Sequence, residues 1–258
     1  MPEGKFVTYR FLNMRVQPLT KEDLLGAIES TVESDASNSI IGNQNMHSLY
    51  LLHRDAEMRL FFDDCRYTHI DGMWIVLLAR ALRVPLYFRH RTAYLDWFAD
   101  FLRMAERKSW RIYLLGGRPE VADKVPTRLH VRYPGLQIRN HHGFDAFKPT
   151  TSVYEEIAAF APHVVLVGMG MPLQEKWILG ARKIIRANLF LPIGGTMDFL
   201  MDAQKIPPRW LGRLGIEWLY RFLCRPRTMF GRYVLEPLAL LPTILRAIVA
   251  GKGYVEEQ

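Results

Sequence analysis

The chain has 258 residues, and its 34 Lys and Arg against 26 Asp and Glu give a net charge of +8. A hydrophobic content of 49% excludes a disordered chain, and two cysteines and 18 glycines exclude disulfide-rich and collagen-like scaffolds. The cysteine count also favours a reducing compartment, and the positive charge favours an anionic partner such as a phosphorylated substrate, a nucleic acid or a membrane surface.

The predicted elements alternate between short apolar strands and amphipathic helices. Strands are expected at residues 39–42, 67–70, 112–115, 136–138, 164–167 and 189–193. Capping patterns predict a helix after Thr20 and Asp23 and another at the capping box of Ser152 and Glu155. Other helices are expected across 49–60, across 73–82, from Pro119, and from Pro172 to about 186. This order predicts an α/β fold with a Rossmann-like, mostly parallel sheet and helices on both faces.

Three of these strands run into glycine turns, at Gly116-Gly117, at Gly168 and Gly170, and at Gly194-Gly195. Ligands of open α/β sheets bind at the carboxyl ends of the strands, where glycine lets backbone N–H groups approach phosphate oxygens. The turns therefore favour a phosphorylated ligand, although glycine also serves tight turns that bind nothing.

Residues 201–232 carry seven basic and two acidic side chains, so this short segment holds +5 of the net charge. It is rich in aromatic residues, and an apolar run at 234–250 follows it. That run is too short and too charged to span a membrane, and with Pro237 and Pro242 it predicts a pair of interfacial or packing helices. We therefore expect an α/β core over 1–200 and a basic, helical, membrane-docking appendage over 201–258. A solvated basic helix face is the alternative.

Several common catalytic motifs are missing. The Gly168-x-Gly170 turn lacks the third glycine of the dinucleotide fingerprint, and the chain has no Walker A, G-x-S-x-G or Asp-x-Asp sequence. His141-His142 has no accompanying Cys or acidic pattern, so neither a metal site nor a cofactor is predicted. The first 19 residues hold no apolar run of signal-peptide length.

Four segments resemble the WecG/TagA/CpsF family of bacterial glycosyltransferases, and a fifth resembles the basic C-terminal motif of that family. The resemblance covers about residues 40–232, and the third and fifth segments are the most specific. The five segments are IDG at 70–72, YLLGGRP at 113–119, VGMGMPLQEKW at 167–177, GGTMDFL at 194–200 and GIEWLYR at 215–221, with Pro226 and Arg227 after the last.

The resemblance implies an inverting, metal-independent glycosyltransferase. It would move a sugar from a UDP-sugar to a polyprenyl-diphosphate-linked sugar at the inner face of the plasma membrane, in cell-surface polysaccharide synthesis. A homo-oligomer is also expected from the family. The chain departs from the family at Ile206-Pro207-Pro208 and at Arg89-His90-Arg91-Thr92, which indicates a distant branch such as one making an exopolysaccharide gum. The sequence does not name the sugar.

The resemblance also implies site residues. Asp71 resembles the catalytic base, although an Asp between a strand and a helix is commonly an N-cap. Arg89 resembles an Arg that holds a diphosphate, with Arg91 as an ambiguous neighbour, and Gln174 resembles a glutamine that binds a sugar hydroxyl or caps its own helix. The other expected substrate-binding residues, for some of which capping or turn roles are the alternative, are Asn43, Asn45, Gly116, Gly117, Gly170, Gly195, Asp198, Arg221, Arg227 and Arg232.

Two other functions compete with this one. A dinucleotide oxidoreductase would use a similar fold, but the missing third glycine argues against it. A non-catalytic module that binds nucleic acid or a membrane is suggested by the charge alone. Three glycine turns beside an acidic residue favour an enzyme, and no nucleic-acid partner is predicted.

Overall fold

The computed structural model describes residues 6–35, 37–143, 151–196, 207–251 and 254–257. The strands are β1 Thr8–Phe11, β2 Met14–Val16, β3 Ser39–Gln44, β4 Tyr67–Ile70, β5 Arg111–Gly116, β6 Gln137–His141, β7 Val164–Gly168, β8 Leu189–Pro192 and β9 Val255–Glu257. The helices of the core are α1 Lys21–Glu33, α2 Met46–Leu52, α3 Ala56–Asp63, α4 Met73–Ala81, α5 Tyr94–Arg107, α6 Pro119–Ala122, α7 Val125–Arg132, α8 Thr151–Phe160 and α9 Leu173–Ala181. Those that follow are α10 Arg209–Arg213, α11 Glu217–Cys224, α12 Pro226–Phe230 and α13 Glu236–Val249, with a 3-10 turn at Phe88–His90 and a π-helical turn at Gly231–Leu235.

Six strands form one parallel sheet in the order β4-β3-β8-β7-β5-β6. Each of the six overlaps the strand predicted from the sequence, so the Rossmann-like α/β fold is confirmed. Because all six run in the same direction, their carboxyl ends lie at one edge of the sheet, and the segments that follow them meet there.

Alternate residues along each strand point to opposite faces of the sheet, which produces two apolar cores. Ile40, Tyr113 and Phe190 belong to the core covered by α2, α3, α4, α8 and α9. Ile41 and Leu114 belong to the core covered by α1, α5 and α7. The predicted helices on both faces are therefore confirmed, and the carboxyl edge of the sheet is held rigidly between two packed layers.

Several helix boundaries differ from those predicted. The capping box of Thr20 and Asp23 is present at the start of α1. The single helix expected over 49–60 is instead two helices, because the Asp55 carboxylate accepts two backbone N–H bonds and starts α3. Ser152 lies inside α8 rather than before it, and α9 ends at Ala181 rather than near residue 186.

A small antiparallel sheet, in the order β2-β1-β9, was not predicted from the sequence. Its hairpin turns through Leu12 and Asn13, which both adopt the left-handed conformation, with φ of 49° and 62°. Such a turn usually carries glycine, so the sequence gives little signal for it. Since β9 pairs with β1, the end of the chain returns to the core after the last helix.

Helices α10–α13 lie within residues 201–258, the range predicted to be the basic appendage. The apolar run expected to be a pair of helices is one helix, α13, with Pro242 inside it. Leu240 is buried against the core beside α2, whereas Leu223, Leu238 and Leu245 are exposed. Within the described ranges, the helices are all too short or too polar to cross a bilayer.

Candidate active site

Asn43, Asn45 and Asp71 lie at the carboxyl ends of β3 and β4. The Asp71 backbone N–H donates to the carbonyl of Gln44 at 2.9 Å. Asn45 is the N-cap of α2, and its Oδ1 accepts the N–H of Ser48 at 3.1 Å. The buried Oδ1 of Asn43 has no hydrogen-bond partner in the part of the chain that is described. Asn43 therefore presents an unused acceptor at the edge where ligands of such sheets bind.

Two cavities meet at Asp71. The large cavity, of about 480 Å³, lies against the glycine turns after β7 and β8, with Gly170 and Gly195 in its wall. The small cavity, of about 90 Å³, lies between α4 and α11. Asp71, Arg221 and Arg232 line both. A carboxylate and two guanidinium groups thus stand where the two spaces join.

The Asp71 carboxyl is partly buried and surrounded by arginines. Burial raises its pKa, while the guanidinium groups of Arg221, Arg91 and Arg232 oppose that change. A carboxylate whose pKa is raised toward neutral pH is a better general base than an ordinary aspartate. The environment of Asp71 therefore suits the abstraction of a proton from a bound hydroxyl.

Glu217 joins the core to the appendage. Its Oε2 accepts from Nη2 of Arg91 at 2.8 Å, and its Oε1 accepts from Nη2 of Arg221 at 2.6 Å. Arg91 also donates to Asp96 at 3.1 Å. The Arg91 and Glu217 side chains are only 10% and 11% exposed, so removing one partner would leave a buried charge uncompensated. The bridge holds two arginines at the small cavity, beside Asp71.

Arg89 does not join this group. It is exposed, its Nε donates to Nε2 of His90 at 3.1 Å, and its guanidinium lies 5.1 Å from the centre of the Tyr87 ring. Arg91 stands near Asp71 because its backbone bridges to Ile70 at the end of β4. Of the two arginines, Arg91 lines the small cavity and Arg89 lines neither cavity.

Gln174 is buried in the wall of the large cavity. Its Oε1 accepts the N–H groups of Gly170 at 3.3 Å and Gly194 at 3.0 Å, and its Nε2 donates to Oε1 of Glu175 at 2.7 Å. The two acceptor sites of its oxygen are thus used within the protein. In this structure the Gln174 amide oxygen supports the glycine turns, and the expected sugar contact stays a prediction.

Gly116 and Gly117 line neither cavity. A Cβ on Gly116 would lie 2.4 Å from the carbonyl oxygen of Gly168, so glycine is required there by the close approach of β5 and β7. Of the other predicted residues, Arg227 is exposed and lines neither cavity, and Asp198 lies outside the described residues.

Two aromatic residues at the small cavity were missed as site residues. Trp74 of α4 and Trp218 of α11 have ring centres 5.4 Å apart, and both line that cavity. Glu217 was also missed, although its i,i+4 spacing to Arg221 is a recognisable ion-pair signal. Among the residues described, no three His, Cys, Asp or Glu side chains are grouped so that they could hold a metal ion.

Two comparisons with known proteins give the same kind of enzyme. The model of the glycosyl transferase WecG/TagA/CpsF family matches residues 9–253. The chain is also 27% identical over 217 residues to N-acetylglucosaminyldiphosphoundecaprenol N-acetyl-beta-D-mannosaminyltransferases of Staphylococcus aureus strains NCTC 8325 and COL. These alignments cover 79% of this chain and 84% of each relative.

Proposed function

Because the chain belongs to the WecG/TagA/CpsF family of glycosyl transferases, we propose that it moves a sugar from a UDP-sugar to a polyprenyl-diphosphate-linked sugar with inversion. The observation that carries this proposal is the position of Asp71, where a glycine-lined cavity meets a smaller one beside the appendage. The names of the relatives make N-acetylmannosamine the first donor sugar to test and N-acetylglucosaminyl-diphosphoundecaprenol the first acceptor.

The large cavity is the proposed donor site. The turns at Gly170 and Gly195 let a ligand approach the backbone closely, and Arg225 and Arg232 supply positive charge for a diphosphate. The unused Oδ1 of Asn43 can accept a hydrogen bond from a sugar or ribose hydroxyl. These groups fit the charge and the hydroxyl groups of a nucleoside diphosphate sugar.

The proposed reaction is a single displacement. The Asp71 carboxylate takes the proton of the acceptor hydroxyl, whose oxygen then bonds to the anomeric carbon from the face opposite UDP. The bond between that carbon and the β-phosphate oxygen breaks, and UDP leaves with the bonding electrons. Arg221 and Arg232 stabilise the negative charge that develops on the diphosphate, a task that a metal ion performs in other enzymes.

The small cavity is the proposed entrance for the lipid-linked acceptor. It opens beside Trp74 and Trp218, and exposed apolar side chains such as Leu223 and Leu238 follow on the appendage. Together with the exposed Arg227, they form a surface suited to the anionic inner face of the plasma membrane.

Product analysis tests the reaction. The purified protein is incubated with each common UDP-sugar and a short polyprenyl-diphosphate N-acetylglucosamine, and the anomeric configuration of the product is read by nuclear magnetic resonance. We expect transfer from one UDP-sugar, with inversion. Retention of configuration, or no transfer from any donor in the presence of the acceptor, would refute the proposal.

Sedimentation with liposomes tests the membrane surface. We expect the protein to sediment with vesicles that contain anionic lipid and to be released by salt, because the surface charges are exposed and screened. Equal binding to neutral and anionic vesicles would contradict the role given to the arginines.

A further inference from the structure

Glu175, in the first turn of α9, is a carboxyl group with no exposure to solvent. Its Oε1 accepts from Nε2 of Gln174 at 2.7 Å, and its Oε2 has no hydrogen-bond partner in the described chain. Burying a carboxyl with half of its acceptors unused costs free energy. An acid that served only the helix dipole could do so at the surface, so this placement calls for a specific reason.

The reason lies at the other end of the Gln174 amide. Its Oε1 accepts the backbone N–H groups of Gly170 and Gly194, which belong to different turns of the large cavity wall. If the amide were turned over, its NH₂ group would face the backbone N–H groups of Gly170 and Gly194. Three donor groups would then meet without an acceptor. An acceptor next to Nε2 excludes that orientation, and Glu175 provides it.

We infer that Glu175 is a positioning residue for the large cavity: it orients the Gln174 amide so that one oxygen ties the turn at Gly170 to the turn at Gly194. Both turns line the large cavity, so this connection lies in the cavity wall. The inference rests on the proposed function only in taking a UDP-sugar as the ligand of this cavity.

The charged and titratable groups that act on Glu175 come from three parts of the structure. Arg232 favours the ionised form of Glu175. Cys65 and Tyr94 are buried, and burial raises the pKa of each of them. None of the three accepts a hydrogen bond from Gln174, so Glu175 is the side chain that acts on the Nε2 end of the amide.

The test compares Glu175→Leu, which removes the acceptor and fills the space, with Glu175→Gln, whose Oε1 can still accept from Gln174. We expect Glu175→Leu to weaken UDP binding in calorimetry and to raise the donor KM, each about tenfold, with the acceptor KM unchanged. Glu175→Gln should stay within about threefold of wild type. Equal losses in both variants, or no loss in a folded Glu175→Leu protein, would overturn the inference.

Two further measurements keep the inference separate from the proposed function. Hydrogen exchange at the amides of Gly170 and Gly194 needs no ligand, and it should accelerate in Glu175→Leu but not in Glu175→Gln. The double variant Glu175→Leu with Gln174→Leu should bind UDP no more weakly than Gln174→Leu alone. Both changes disrupt the same hydrogen bonds between the two turns. Additive losses, or unchanged exchange, would refute the positioning role even where sugar transfer is observed. Failure of the wild type to bind UDP, with exchange altered as expected, would refute the donor assignment alone.

Discussion

Replacing Glu175 by Gln should make the protein more stable at alkaline pH and should flatten its dependence on pH. Burial raises the pKa of Glu175 from an ordinary value of 4.5 to about 7. A pKa that is raised on folding contributes stability that is complete below the unfolded value and is lost as pH rises through the folded value. Each pH unit corresponds to about 1.4 kcal/mol, so the interval from 4.5 to about 7 corresponds to about 3 kcal/mol.

The measurement is the free energy of unfolding in urea, followed by circular dichroism between pH 4.5 and 8. The wild type should lose about 3 kcal/mol relative to Glu175→Gln across this interval, which is about 6 to 12 °C in Tm for a chain of this size. Glu155, exposed on α8, provides the matched control, since Glu155→Gln should leave the curve parallel to wild type. If the Glu175→Gln curve also runs parallel to wild type, the carboxyl is not desolvated as described.

Three further predictions concern catalysis. Asp71→Asn should fold normally and lose transfer activity by about 10² or more, the scale of general-base loss, whereas wild-type rates would show that another group takes the proton. Arg91→Ala should lower kcat/KM by about 10² or more because it removes charge beside Asp71, and Arg89→Ala should remain within about twofold of wild type. A larger loss of kcat/KM in Arg89→Ala than in Arg91→Ala would favour Arg89 as the active-site arginine. Steady-state rates in excess EDTA should equal those without it, and a rate that returns only on adding Mg²⁺ or Mn²⁺ would contradict the role of the arginines.

The centre of the sheet could be predicted from the sequence because β5, β7 and β8 are short, mostly apolar runs with clear ends. The glycine turns after β7 and β8 follow from the same pattern, and they do line the large cavity. The hairpin at Leu12 and Asn13 could not be predicted, since neither residue is the glycine that such turns usually carry. The break between α2 and α3 depends on one capping side chain, Asp55, within a continuous helical pattern.

The site was harder to predict because its contacts join distant parts of the chain. The choice between Arg89 and Arg91 depends on the bridge from Arg91 to Ile70, which no local pattern reveals. The hydrogen bond between His47 and Glu236, at 2.8 Å, spans 189 positions and connects α13 to the core. A local hydrophobic pattern predicts which residues of a segment are buried. It does not predict which other segment packs against them.

If Asp71 is the catalytic base, as proposed, the charge of Arg221 should act on it as well as on the leaving diphosphate. Arg221 of α11 is the strongest of the cations that oppose the rise caused by burial. Its removal in Arg221→Ala should raise the pKa of Asp71 further, so a higher pH is needed to ionise the base. The acidic limb of the pH profile of kcat/KM should then move to higher pH. Arg221→Lys keeps the positive charge but loses the planar guanidinium group. We therefore expect kcat to fall, while the acidic limb of the pH profile stays at nearly the same pH. A limb that stays fixed in Arg221→Ala would mean that the arginine acts on the leaving diphosphate alone.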